Sequence, residues 1–192
     1  INSNYLGAYK MSNEDIGSID GNMQATKKAS RTGLSQKRRQ MRMRLWPLIE
    51  DEHLWLRTKS VGFTTIPRTL PIVNRILDIQ AGKGCPVSAT YLALWCHVFD
   101  EGFIEVRNSR ELAYESGFGG PRAEATWKTR MKKLESLGVI QSKPGVHGDY
   151  QYILMLNPYQ VIEKLYENKP KDFAFQALLS RMLHVGADDI VF

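Results

Sequence analysis

The residues with the clearest chemical potential in this sequence are cations gathered without acids. From Thr26 to Arg44 stand Lys27, Lys28, Arg31, Lys37, Arg38, Arg39, Arg42 and Arg44, with no Asp or Glu among them. The formal net charge of the whole chain is +6, so this block of eight cations leaves a net −2 for everything else. A charge block of this kind attracts polyanions, and nucleic-acid-binding arms share its composition, as do solvated helix faces and tails. Lys37, Arg38, Arg39 and Arg42 are its candidate phosphate contacts. A second group lies further on. Trp127, Met131 and Leu134 recur at helical spacing and define a buried face. At about 100° per residue the opposite face holds Arg122, Ala125, Thr126, Thr129, Lys132, Lys133 and Ser136. Small residues near the start of such a helix permit close approach to base edges. Arg122 can offer two hydrogen bonds to a guanine, and Lys132 and Lys133 suit phosphates, with Lys128 and Arg130 at the flanks. An ordinary solvated amphipathic helix also carries lysines. A third candidate is the loop Lys143–Asp149, in which Lys143 and His147 are the possible contacts while Gly145 and Gly148 let the backbone lie close. Pro and Gly occur in plain hairpin loops for turn geometry alone.

These groups need elements to hold them. Ser35 is placed to cap a helix running through the basic block to about Trp46. Leu70, Val73, Ile76 and Leu77 predict a helix over 70–80, with Pro71 in its first turn and Gly82 and Gly84 at its end. Pro86 opens a helix carrying Tyr91, Leu94, Trp95, Val98 and Phe99, stopped by Gly102. Phe103–Val106 reads as a strand, and Asn108 with Glu111 resembles a capping box for a short helix ending at Gly117. A Gly-rich turn leads to a helix from about Arg122 to Leu137, then a strand over Val139–Ser142, the loop, and a second strand over Tyr150–Leu156 with Tyr150, Tyr152, Leu154 and Leu156 alternating. Two helices follow, near Pro158–Glu167 and Phe173–Leu183. Trp46, Trp55, Trp95, Trp127 and Phe173 are read as core residues. So is Cys96, with Cys85 in a loop.

The ordered set Glu111-Leu112-Ala113, Ser116-Gly117, Leu134-Glu135-Ser136-Leu137-Gly138-Val139-Ile140 and, beyond a Gly-containing loop, Tyr152-Ile153-Leu154 resembles the winged helix-turn-helix domains of bacterial transcription regulators. The resemblance covers about 70 residues, 85–156, and its turn between the two helices is longer and richer in glycine than is usual there. It implies a mostly α fold with a small β-hairpin wing and extra N- and C-terminal helices. The expected organisation is a flexible tail over 1–34, a basic helix and helical extension over 35–84, the winged-helix domain over 85–156, and C-terminal helices over 157–192. The last of these, Phe173–Leu183, is apolar on more than one side, which points to a homodimer through the C-terminal helices or to a helix sunk between the domain and the segment Leu54–Leu77 of its own chain.

Enzyme signatures are missing. Gly82-Lys83-Gly84 lacks the spacing of a phosphate-binding loop, Gly117, Gly119 and Gly120 do not follow the dinucleotide pattern, and neither Gly-x-Ser-x-Gly nor His-Glu-x-x-His occurs. No catalytic residue, cofactor or metal is assigned, since two cysteines fall short of a zinc site. No run of apolar residues is long enough to span a membrane and no signal peptide is seen, which predicts a cytoplasmic, nucleoid-associated bacterial protein. The expected function is recognition of specific duplex DNA, in gene regulation or in replication or partition of a replicon. A winged-helix module that binds protein and an RNA-binding protein that uses the basic arm are the alternatives.

Overall fold

A computed structural model describes residues 33–99 and 101–187. The expected tail, with Lys27, Lys28 and Arg31, lies outside the described residues except for residues 33 and 34, and so do Asp100 and residues 188–192. The chain divides into two compact units between Val61 and Gly62. In the first, residues 33–45 form a helix, α1, with Ser35 inside it rather than capping it. Pro47, which has no N–H to donate, follows its end. A single 3-10 turn at Asp51–His53 comes next, and no residue from 33 to 61 is buried.

The second unit is built around one apolar core. Helix α2 (Leu70–Ala81) buries Leu70, Val73, Ile76 and Leu77, as their spacing predicts. Its start accommodates Pro71, and Gly82 closes it at a φ of 88° that a side chain would strain. Helix α3 (Ser88–His97) carries no cap of its own. The Asp78 carboxylate of α2 takes the Val87 and Ser88 N–H groups at 2.6 and 2.9 Å. Then come β1 (Phe103–Glu105), α4 (Ser109–Glu115), α5 (Ala123–Leu137), β2 (Ile140–Gly145), β3 (Gly148–Met155), α6 (Pro158–Tyr166) and α7 (Phe173–Val185). The sheet is antiparallel in the order β1-β3-β2. The Asn108 side chain accepts the Arg110 and Glu111 N–H groups and starts α4 where the sequence placed it. Helix, strand, two helices and a hairpin whose far strand pairs back with the first strand make a winged helix-turn-helix, flanked by further helices on both sides. Among the described residues no helix is long and apolar enough to cross a membrane.

Several expectations about burial are corrected. One apolar core runs without a break from α2 through α7. Helix α3 stops at His97; Cys96 within it is exposed rather than core, and Phe99 beyond its end is exposed too. Trp46, Trp55 and Phe173 are exposed rather than core, and Trp95 is half-buried against the core. In β3 the buried residues are Tyr150, Gln151 and Ile153, whereas Tyr152 and Leu154 face outward. A register shift between Lys143 and Gly145 breaks the simple two-residue period on the partner strand. Helix α7 buries Phe175, Leu178 and Met182 and packs on α2 of the same chain. Phe173 and Leu183 remain on its outer side.

Candidate nucleic-acid interface

Helix α5 is clamped along its length, which fixes the direction of its free face. Near its start the Ser109 hydroxyl of α4 donates to Glu124 at 2.7 Å and, more than any other group, holds that carboxyl below its ordinary value, with Lys128 adding to the effect. At mid-length the fully buried Trp127 meets Tyr150 of β3 edge-to-face, ring centroids 5.6 Å apart. Burial, joined by the Glu135 carboxylate, pushes the Tyr150 phenol up to about 12. Toward the end of α5, Ser142 of β2 donates to Glu135.

The residues of α5 read as DNA contacts fall into two sets. Arg122, at the helix start, is exposed, and so are Ala125, Thr129 and Lys132, with Thr126 and Lys133 half-exposed. No acid stands among these six. Thr126 and Thr129 each donate their hydroxyl hydrogen to the carbonyl one turn earlier, Arg122 and Ala125, at 3.0 Å. Both oxygens then present lone pairs outward, the complement of the amino groups on adenine and cytosine.

Lys128 and Arg130 form the other set. Lys128 lies 3.6 Å from Glu124 and 4.0 Å from Asp149 of the hairpin, so part of its charge is already answered. Arg130 is turned back into the domain. Its guanidinium donates to the Cys85 sulfur at 3.0 Å and the Gly84 carbonyl at 3.3 Å, and it lies over the Phe118 ring. It pins α5 to the link between α2 and α3 and does not serve the outer face. Nothing in the local sequence distinguishes it from Lys133, because its acceptors lie 45 and 46 residues away.

The wing is shorter than the expected loop. Lys143, Pro144 and Gly145 belong to β2 and Gly148 and Asp149 to β3, so only Val146 and His147 form the turn. Gln151, buried beneath the tip, accepts the His147 N–H at 2.9 Å and occupies the space that a Cβ at Gly145 would need. Lys143 and the His147 side chain are exposed. Ser109, Glu124, Lys128, His147 and Asp149 line one small depression, which puts the wing tip beside the first turns of α5. Ser109, Glu124, Gln151 and Asp149 are the positioning residues that the sequence pattern did not reveal, since each acts through a tertiary partner.

In the first unit, α1 carries Lys37, Arg38, Arg39 and Arg42. Two of them are engaged within the unit: Arg42 bonds Asp51 at 2.6 Å and Arg39 lies 3.5 Å from its other oxygen. Arg42 before all other groups holds the Asp51 carboxyl below its ordinary value. Lys37 and Arg38 are exposed without an ion pair among the described residues.

The described residues form a mostly α fold with a small antiparallel sheet, arranged as a helix-turn-helix with a β-hairpin wing and helical extensions. No family model, curated protein or solved structure matches the chain.

Proposed function

We propose that the chain binds duplex DNA, with the outer face of α5 in the major groove, the wing against the neighbouring backbone and α1 adding phosphate contacts. One observation carries the reading: the face of α5 opposite its buried stripe is made of Arg122, Ala125, Thr126, Thr129, Lys132 and Lys133, small near the start, basic, and free of acids. Arg122, Thr126 and Thr129 are the base-reading candidates. Lys132, Lys133, Lys143, His147, Lys37 and Arg38 are the phosphate candidates, and Lys128 joins them once Glu124 and Asp149 release it. Gene regulation, or replication or partition of a bacterial replicon, is the setting in which such a module reads specific sequence. Selection of bound sequences from a random duplex pool, followed by fluorescence anisotropy against duplex DNA and RNA in a salt series, tests it. Expected are an enriched motif and an affinity for duplex that falls steeply with salt.

A protein-binding module is the second reading, favoured by the outer face of the sheet. There Phe103 and Tyr152 stack at 6.2 Å beside Leu154, and all three are exposed. On that reading no sequence is enriched and the affinity for duplex is the same for all sequences.

A further inference from the structure

The second unit has a cleft of about 1040 Å³ that lies apart from the DNA-binding candidates. It opens between the extended segment 62–67, the C-terminal end of α3 and the passage from β3 into α6. None of its lining residues comes from α4, α5 or the tip of the hairpin. Phe63, Trp95, Phe99, Met155, Leu156 and Tyr159 give it aromatic and aliphatic walls. Its size lies just above the range of ligand sites, roughly 300–1,000 Å³.

Two features restrict what fits. First, no Asp, Glu, Lys, Arg or His stands among the described lining residues. An ion entering would surrender hydration with no opposite charge to replace it, whereas a neutral aromatic ring would exchange water for aromatic walls. Second, Asn157 lies on the rim with its amide already oriented. Its Oδ1 accepts the Tyr159 N–H at 3.0 Å as the cap of α6, which leaves the two amide hydrogens as donors. Tyr159 itself is occupied, its hydroxyl bonded to Thr69.

We propose that this cleft is a binding site for a small, neutral, planar aromatic molecule whose hydrogen-bond acceptor meets the Asn157 amide. The site does not depend on the DNA-binding reading, and its test contains no nucleic acid. The probe is Prodan, a neutral naphthalene ketone whose emission moves to the blue on leaving water, titrated against the full chain. Two variants accompany it. Asn157→Asp keeps the helix cap, because an Asp oxygen serves as well there, but replaces the donors with a carboxylate. Cys96→Trp fills the cleft from an exposed lining position. Expected are saturable, blue-shifted binding at one site, a loss of about fivefold or more in affinity in Asn157→Asp, and no saturable binding in Cys96→Trp, both variants keeping the circular dichroism of the parent. A titration that never saturates, or one that either folded variant leaves unchanged, overturns the proposal. Should Cys96→Trp fail to fold, the Asn157→Asp titration decides alone.

Discussion

The two units of the chain treat their apolar residues in opposite ways. From 33 to 61, Leu34, Met41, Met43, Leu45, Trp46, Leu48 and Trp55 are all exposed, next to the cations of α1. From 62 onward, residues of the same types close into one core in which Val73, Tyr91, Trp127, Ile153 and Leu178 are fully buried. Apolar content alone therefore does not make a core; several amphipathic elements must present their stripes to a common centre. The second unit has the helices α2 to α7 and a sheet that do so. Among its described residues the first has one helix and a single 3-10 turn, and its apolar side chains find no common centre to close around.

The sharpest way to break this contrast is to damage one unit and watch the other. Trp127→Ala should cost about 3–5 kcal/mol, because a fully buried ring that packs on Tyr150 is removed. Deleting residues 1–61 should leave the main thermal transition almost where it was. Differential scanning calorimetry checks both, and a large fall in the transition temperature on deletion would show that the first unit supports the core.

A pair of substitutions on α7 comes next. Met182→Glu should unfold the second unit, because Met182 is only 3% exposed, while Leu183→Glu should keep the fold, because Leu183 is 84% exposed. Circular dichroism separates the two. The dimer expected through α7 must then use Phe173 and Leu183, so light scattering on the folded Leu183→Glu variant reads it: a lower mass than the parent's marks that face as the interface.

Smaller effects distinguish the two sets on α5. On the DNA-binding reading Arg122→Ala and Thr126→Ala each weaken specific binding by about 1–3 kcal/mol with little change in melting. Arg130→Ala should instead lower the melting temperature, since it empties the site between Gly84, Cys85 and Phe118. Binding loss without destabilisation in Arg130→Ala would return that residue to the DNA face. Replacing Lys37 and Arg38 together should make the slope of log affinity against log salt shallower by about 0.9 for each phosphate that the variant no longer neutralises. An unchanged slope would take α1 off the DNA.

The smallest expected effect is a pH dependence at the contact between α5 and the hairpin. The Tyr150 phenol is raised in the folded chain from 10.0 to about 12. Between those values the unfolded chain has lost the proton that the folded chain keeps, so stability falls as pH rises. The contribution is complete below pH 10 and is lost as pH climbs through 12. Tyr150→Phe should flatten that part of the stability profile in urea titrations, and an identical decline in both proteins would place its origin elsewhere.

Much of this fold is written in local signals. The apolar periods of α2 and α5, the Asn108 cap, the glycines after α2 and α5, and the order of helix, strand, helix, helix and hairpin all follow from residues a few positions apart. The outward face of α5 is equally legible, because naming its buried stripe names the opposite side. The tertiary structure decided the rest. Arg130 faces inward because Gly84 and Cys85 arrive beside it from another link, and Asp51 takes up Arg39 and Arg42. Lys128 meets an acid of the hairpin, Asp149. The outer side of β3 is set by its neighbours, and α7 finds its partner in α2. The physical reason is the same throughout. Sequence period tells a side chain which face of its own element it occupies, while the charge, ring or carbonyl it meets there is supplied by a segment distant in the chain.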